Sequence, residues 1–489
     1  MNELNDFIIE IQQVFLGLLT LAFSFFIFLD LDTIKEKLPR STRVFIGLIF
    51  ITSVLGLSYN FIESLGQEGI IYGLELALLI TMSLMGPKFA VSLFIYLLLS
   101  RPWEVFDHQL MQSMPRDIFY LTALVLIGYK IIKKEFFFRF NLGSALLILF
   151  ASWVFLSAFF SPNQANSIYN FFEVFSKGVI VFLLIQNGFE HGSDLRIAKL
   201  TVVLAIIEKS IISFYQSYLQ AQSSHGVVEE YQRLESVGIL SNSNDIAAIF
   251  ILAIPFCLLF ILKTKLKPFS WIITIVAGLL MSYLVWKSQS RGAMLALMAT
   301  GASYFFLQVK SKKHVLMIIT LALIAAFGSF ALMKRGSADL EGSTSNRVIF
   351  WKAGANMAVR NPVFGVGFWG FNDNFASYAI DGNTGSEGTH MTAHSSWVQI
   401  MAENGFMALF LFLGLWLYSM SKAYTIRKNE PEYFMSLVGY GVTITFLSHA
   451  YLLFPYILCS LAITQASLDN EEKVESSVSE NSFKEVSYA

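Results

Sequence analysis

The sequence predicts an all-α polytopic integral membrane protein with about 14 transmembrane helices, within a range of about 12 to 15. Of its 489 residues, 55% are hydrophobic and only 14% are charged, and the mean hydropathy is +0.59. Soluble domains carry roughly 25% charged residues, so a soluble fold could not bury this much apolar surface. Backbone groups in lipid must pair within their own segment, which favours helices, and the apolar runs are too long for barrel strands.

The apolar runs place these helices along the whole chain. A membrane-spanning helix needs about 20 mainly apolar residues. The candidate spans are 7–29, 42–60, 69–85, 88–100, 117–133, 142–160, 168–187, 196–217, 245–262, 268–286, 291–309, 314–333, 397–420, 433–450 and 453–468. Gly86-Pro87 divides the third run from the fourth, and a stretch around Pro455 divides the last two.

Lys and Arg in short loops orient the helices, because these residues accumulate on the cytoplasmic side. Basic clusters lie at 35–40, 130–139, 263–267, 310–313 and 422–428. The opposite, external face then holds the loops at 101–116, 161–167, 218–244, 287–290 and 334–396. The predicted location is therefore a cytoplasmic membrane, crossed many times.

Three regions follow from this layout. Residues 1–217 form N-terminal transmembrane helices, and residues 218–468 form a second transmembrane region. The second region includes one long external loop, 334–396, which we expect to carry short interfacial helices. Residues 469–489 are rich in Ser and Glu and predict a disordered cytoplasmic tail.

The charge balance and the cysteines exclude some functions. The net charge is −1 and no basic tract occurs, which argues against a nucleic-acid partner. The two cysteines, Cys257 and Cys459, lie in apolar runs and indicate buried small hydrophobic residues rather than a disulfide framework.

Three predicted helices begin on the external face with residues that favour helix N-termini. The run 241–245 (SNSND) precedes the first, Ser290 caps the second, and the segment 392–396 (TAHSS) precedes the third. Ser and Asn side chains accept hydrogen bonds from the free amides of a first helical turn. Each start also presents the positive end of a helix dipole, so we expect an anion site whose natural ligand is a pyrophosphate.

Two arginines and one histidine accompany these helix starts. Arg233 and Arg291 supply permanent charge and bidentate donors. His394 lies near a helix N-terminus, which disfavours its cationic form and keeps it a neutral base near pH 7. The alternatives stay open: an arginine at an interface often reaches lipid headgroups, and a single histidine before a helix is more often a cap or a packed group.

The long external loop contributes further candidates. An amphipathic piece at 346–360 predicts an interfacial helix with Arg347 and Trp351 at the lipid surface. The candidate substrate-binding residues are Asn242, Asn244, Ser290, Arg347 and Trp351.

We predict neither a metal nor a cofactor. His390 and His394 have a spacing of four residues, but no third ligand accompanies them. The stretch 365–370 (GVGFWG) matches G-x-G-x-x-G without a preceding strand, so a tight turn is favoured over a nucleotide site.

Four stretches, in this order and on a chain with many spans, resemble the O-antigen ligase family, which also contains bacterial polysaccharide polymerases. They are 233–244 (RLESVGILSNSN), 288–292 (SQSRG), 346–370 (NRVIFWKAGANMAVRNPVFGVGFWG) and 393–405 (AHSSWVQIMAENG). The resemblance implies a metal-independent, inverting glycosyltransferase whose donor is a glycan on a polyprenyl (undecaprenyl-type) diphosphate. It implies that Arg233 and Arg291 hold the diphosphate and that His394 activates the acceptor hydroxyl. Many members carry Asn after this histidine, where the present chain has Ser395.

Three functions compete at this point. The first is a ligase that transfers the glycan to lipid A–core, to another surface polymer or to a protein. The second is a polymerase, in which another lipid-linked glycan is the acceptor at the same site. The third is a transporter or flippase, which needs a charged pathway at the membrane midplane. Few ionisable residues lie in the apolar runs, the main ones being Glu75, Glu173, Lys177, Glu208 and Lys209.

Overall fold

The computed structural model describes residues 86–101, 109–134, 138–223, 234, 242–260, 269–308, 337–379 and 391–487. Within these ranges every regular element is a helix, which confirms the all-α prediction for the described part of the chain. The predicted spans 7–29, 42–60, 69–85 and 314–333 lie outside the described residues.

Fourteen α-helices are described. They are α1 (Pro87–Ser100), α2 (Gln109–Lys133), α3 (Leu142–Ala158), α4 (Gln164–Asn170), α5 (Ser176–Asn187), α6 (Leu195–Ser223), α7 (Ser243–Pro255), α8 (Phe269–Lys287), α9 (Arg291–Gln308), α10 (Ser337–Arg360), α11 (Phe371–Tyr378), α12 (Ser396–Thr425), α13 (Pro431–Ile444) and α14 (Leu453–Ser487). A π-helical turn, Phe171–Phe175, joins α4 to α5, and another, Phe256–Phe260, follows α7.

Two described helical stretches are long and apolar enough to cross a membrane, Gln164–Asn187 and Ser396–Thr425. Shorter apolar helices occur at Pro87–Ser100, Leu142–Ala158, Ser243–Leu259 and Ile275–Lys287. These helices fit an integral membrane protein, and the count of about 14 spans stays a prediction.

The described helices fall into two compact units. The first unit contains α1, α2 and the body of α6. In this unit α1 packs against α2, and the hydroxyl of Tyr96 in α1 donates to the Glu208 carboxylate of α6 at 2.5 Å. This bond gives the buried acid a polar partner within apolar surroundings.

The second unit contains α3 to α5 and α7 to α14. In it α3 packs on α12, α5 packs on α14, and both α7 and α9 pack on α13. The Ser460 hydroxyl donates to the Phe182 carbonyl at 2.7 Å, and Gly178 lies directly under the Tyr456 ring. Because of such contacts, residues 138–195 group with the C-terminal helices, which differs from the boundary that we placed at residue 217.

The described part of 334–396 folds around its own apolar cluster. The helix α10 begins at Ser337, earlier than the predicted 346, and is longer than the short helices that we expected. A core that includes Met357, Phe371, Phe375 and Ala393 joins α10, α11 and the start of α12. The aromatic residues of this loop therefore help to build a folded layer that packs on α12.

The glycine-containing stretch 365–370 forms a tight turn against α12. Gly365 and Gly367 have φ of +62° and +94°, and the Val366 amide donates to the Ala402 carbonyl at 2.9 Å. α12 is interrupted at this point, because Gly405 has φ +77° and the Phe406 amide bonds the Pro362 carbonyl at 3.0 Å.

The C-terminal segment is a correction to our prediction of a disordered tail. Residues 469–487 continue α14 as a helix. The segment contains no Gly or Pro to end the helix, and Glu471 pairs with Arg139 at 3.1 Å. The Glu472 carboxylate also accepts the Gly192 amide at 2.9 Å, which fixes the first turns beyond the apolar run.

Candidate functional site

The three helix starts predicted from the sequence have the expected caps. Asn242 is exposed and its side chain accepts the Asn244 amide at 2.9 Å, at the start of α7. Ser290 accepts the Ala293 amide at 3.3 Å at the start of α9. At α12, Ser395 accepts the amide three residues further along at 3.4 Å.

Hydrogen bonds hold two of these starts, those of α7 and α12, close together. The hydroxyl of Ser396, the first residue of α12, donates to the Leu447 carbonyl at 2.7 Å and accepts the His449 amide at 2.9 Å. The His449 ring in turn bonds Asp245, in the first turn of α7, at 2.9 Å. The segment after α13 therefore ties the start of α7 to the start of α12.

A cleft, which we call the arginine cleft, lies where α7 and α9 begin. It is open to solvent, and the empty space within its mouth and walls is about 200 Å³. Three of the predicted substrate-binding residues line it, namely Asn244, Ser290 and Arg347. Gly292, Phe446 and Leu447 complete much of its wall, and a side chain at Gly292 would press on the Phe446 ring.

Two buried N–H groups beside the arginine cleft lack acceptors within the described residues. They are Nε of Arg291 and Nε1 of Trp351. Arg291 lies between two lining residues, Ser290 and Gly292, and the Trp351 ring lies 6.3 Å from that of Phe446. An unsatisfied buried N–H group is unfavourable unless a ligand or a water molecule accepts its hydrogen bond. Both groups are therefore suited to bind an anionic ligand.

His394 lies in the turn immediately before α12. Its backbone is left-handed, with φ +47°, and its ring lies 5.6 Å from the Phe350 ring. Burial lowers the pKa of His394, Arg347 lowers it further, and Asp245 acts in the opposite direction. The imidazole is therefore held neutral beside one cationic and one anionic side chain, as a base requires.

The left-handed backbone at His394 has a structural cause. The preceding residue, Ala393, is buried in the cluster that joins α10, α11 and α12, and the following residue, Ser395, caps α12. Because both neighbouring residues are held in place, the chain turns at His394. Non-glycine residues in this conformation are uncommon and are often found at functional sites.

A buried relay was not predicted from the sequence. His449 bonds Asp245 through Nε2 at 2.9 Å and the Tyr440 hydroxyl through Nδ1 at 2.9 Å. If Nε2 carries the proton, it donates to Asp245 while Nδ1 accepts from Tyr440, which satisfies all three groups. A histidine inside the predicted span 433–450 was the signal that could have indicated it.

Two predicted residues cannot be placed in this arrangement. Arg233 and His390 lie outside the described residues. Among the described residues, no group of three His, Cys, Asp or Glu side chains is arranged to hold a metal ion.

Comparison with known protein families gives a match to one region of the chain. Residues 276–413 match a family model described as O-antigen ligase. No curated protein sequence matches the chain. The chain is therefore similar to O-antigen ligases over the stretch that carries Arg291, Arg347 and His394, which confirms the resemblance predicted from its sequence.

Proposed function

We propose that this protein is a membrane glycosyltransferase that moves a glycan from a polyprenyl diphosphate to an acceptor hydroxyl at the external face of the inner membrane. The observation that carries the proposal is the arginine cleft. There, two helix starts and Arg347 line one small space, and the unsatisfied N–H groups of Arg291 and Trp351 lie on residues next to its wall. Fixed donors of this kind stabilise a phosphate group and the negative charge that develops when it leaves.

In the proposed reaction, Arg347 acts on the diphosphate and His394 acts on the acceptor hydroxyl. The oxygen of the acceptor hydroxyl forms a bond to the anomeric carbon while the bond from that carbon to the diphosphate oxygen breaks. The hydroxyl proton passes to His394, and the electron pair of the broken bond stays on the diphosphate. Attack from the side opposite the leaving group inverts the anomeric centre, and no step in this scheme requires a metal.

Asp245 and Arg347 adjust the pKa of His394 for this step. When no donor is bound, Arg347 disfavours protonation of His394, whereas Asp245 favours it. A bound diphosphate would neutralise Arg347, so the imidazole becomes more basic once the donor is present. After proton transfer, Asp245 stabilises the imidazolium.

The direct test uses purified full-length protein and a lipid-linked donor. We expect Arg291→Gln to reduce transfer on the order of 10²–10³-fold, because it removes a charged donor to the leaving group. We expect His394→Ala to reduce transfer by roughly 10²–10⁴-fold, the usual contribution of a general base. Arg360→Gln and His191→Ala change the same residue types at exposed positions and serve as controls. Undiminished transfer by both site variants would remove the proposed mechanism.

The acceptor distinguishes a ligase from a repeat-unit polymerase. Both use the same donor and the same site, so the arginine cleft supports either. In a deletion strain, loss of a ligase leaves long lipid-linked chains without attached product, whereas loss of a polymerase leaves single-repeat decoration. We propose the ligase, in accord with the description of the matched family.

A further inference from the structure

A second cavity lies beside the turn that carries His394. Its volume is about 180 Å³, and it is lined by residues that include Trp369, Phe371, Gln399, Glu403, Ser448 and Tyr451. A mostly apolar wall with a few polar groups is typical of a small-ligand site. We call it the glutamate cavity.

The polar groups of the glutamate cavity are incompletely satisfied. Glu403 is 2% exposed, and its Oε1 accepts the Phe371 amide at 3.2 Å, at the start of α11. Its Oε2, the Gln399 Oε1 and the Ser448 hydroxyl are all buried without a hydrogen-bond partner among the described residues. Tyr451 and Gln399 are polar neighbours of the carboxylate. All three open groups can accept hydrogen bonds, so a ligand with hydroxyl groups would satisfy them.

Aromatic rings form another part of the wall. The Trp369 and Tyr451 rings lie 6.4 Å apart, and the Tyr451 hydroxyl accepts the Asn404 side-chain amide at 2.6 Å, which fixes its ring. Trp369 is held in a left-handed backbone conformation, with φ +62°. A flat aromatic surface beside hydrogen-bond acceptors suits a ring with apolar C–H faces and hydroxyl edges.

The two cavities differ in their charged residues. The glutamate cavity has a carboxylate and no Lys or Arg among its described lining residues, so it disfavours a phosphate. The arginine cleft has Arg347 and helix starts, and favours one. A neutral polyol therefore fits the glutamate cavity, and an anion fits the arginine cleft.

The glutamate cavity is adjacent in the chain both to His394 and to the lining of the arginine cleft. Thr392 and Ala393 line the glutamate cavity, and His394 follows them directly. Leu447 lines the arginine cleft, whereas the next residue, Ser448, lines the glutamate cavity. The glutamate cavity therefore lies next to the His394 turn and next to the wall of the arginine cleft.

We propose that the glutamate cavity binds the neutral sugar ring of the acceptor that bears the attacking hydroxyl, with its other hydroxyls donating to Glu403 and Gln399. This inference rests on the proposed function, because only a glycan transferase needs an acceptor sugar beside His394. Glu403 acts here as a binding residue that positions the acceptor, and His394 takes the proton.

The first test measures sugar binding without turnover. Full-length protein in lipid nanodiscs, free of sugar-based detergent, is mixed with a panel of methyl glycosides of neutral hexoses, and binding is followed by saturation-transfer NMR. We expect at least one glycoside to bind and Glu403→Gln or Ser448→Ala to weaken it about tenfold, the effect of losing one good hydrogen bond. Ser419→Ala is the matched control, because Ser419 is buried in α12, the helix of Glu403, and does not line the cavity. Thermal unfolding of each variant shows that it is folded, and Ser448→Ala is the milder change.

The second test separates this inference from the proposed function. In the transfer assay we expect Glu403→Gln to raise the KM for acceptor with an unchanged KM for donor, whereas Arg291→Gln impairs the donor side and leaves glycoside binding intact. Glycoside binding that depends on Glu403, in a protein without transferase activity, would support the cavity and reject the function. Absence of glycoside binding, with normal acceptor KM in Glu403→Gln and Ser448→Ala, would overturn the inference and leave the function standing. Binding of a tetramethylammonium probe in preference to every glycoside would also overturn it, since the site would then recognise a cation.

Discussion

At the scale of the residue, the arrangement around His394 explains how one imidazole can serve as a base at a membrane surface. Its neighbours in the chain are fixed by the apolar cluster and by the α12 cap. Its electrostatic neighbours, Arg347 and Asp245, come from α10 and α7. The lowered pKa of His394 therefore depends on residues distant in sequence, and each can be changed separately.

The pH dependence of transfer follows from the direction of that pKa shift. A base works when deprotonated, so activity rises with pH through its pKa. Because burial and Arg347 lower the pKa of His394 below 6.5, we expect kcat/KM to persist below the pH at which a free imidazole is half protonated. Arg347→Gln should move this midpoint upward and Asp245→Asn should move it downward, whatever their effects on the rate.

Two details sharpen this measurement. The midpoint in kcat, which reports the donor complex, should lie above that in kcat/KM, since the bound diphosphate offsets Arg347. Arg360→Gln removes a guanidinium at the end of α10 and should leave both midpoints unchanged. An identical midpoint in the wild type and in Arg347→Gln would show that another group titrates.

The buried relay of Tyr440, His449 and Asp245 makes a second prediction at this scale. Replacing His449 by Phe keeps an aromatic ring but leaves the Tyr440 hydroxyl and the Asp245 carboxylate without their partner. We expect a loss of roughly 1–3 kcal/mol of stability, the cost of unsatisfied buried polar groups, seen as a lower Tm of the purified protein. Tyr169→Phe, which removes the hydroxyl of an exposed tyrosine, should leave the Tm nearly unchanged. Equal Tm values for the two variants would mean that the relay does not stabilise the fold.

Some of the candidate site residues can be predicted from the local sequence, and others cannot. Caps such as Asn242 and Ser290 act within a few residues of themselves, so local patterns predict them. The pair His449 and Asp245 is separated by 204 residues, and no local rule connects them. Glu403 lies inside a predicted span, where an ionisable residue is a functional signal, but its cavity forms only when α11 and α12 pack.

At the scale of the element, the described helices follow the predicted apolar runs closely. The run 291–309 corresponds to Arg291–Gln308, and the run 142–160 to Leu142–Ala158. These ends are set by strong local signals, such as the Asn141 and Ser290 caps. α10 and α14 were misjudged because their extra turns are polar, and polar turns give no apolar pattern.

The break in α12 gives a prediction with a control on the same helix. Gly405 has φ +77° and approaches the backbone of Val363 closely, so Gly405→Ala should destabilise the protein by about 1–3 kcal/mol through strain. Gly414→Ala should be neutral or stabilise by up to about 1 kcal/mol, because only the Leu146 side chain lies near, at 3.6 Å. Thermal unfolding of the two variants measures the difference. Similar Tm values would show that α12 can straighten at this position without loss.

At the scale of the whole molecule, the second unit brings together segments from across the sequence. Residues 138–195 join the C-terminal helices, although no sequence pattern separates them from the preceding helices. The cause is tertiary packing, in which α3 contacts α12 and α5 contacts α14. Hydropathy predicts where helices lie along the chain, but it does not state which helices are neighbours.

The membrane topology supplies the last prediction, because the proposed reaction requires the starts of α7 and α12 to face outward. Cys257 and Cys459 are buried and can be replaced by Ala to give a background without thiols. In intact cells we expect a membrane-impermeant maleimide to label Asn242→Cys and Thr392→Cys, whereas Lys428→Cys should react only after permeabilisation. Position 428 is exposed in the basic turn after α12, so it is the matched control for the opposite face. Labelling of positions 242 and 392 from different sides would separate the two helix starts by a bilayer, and one diphosphate could not then contact both.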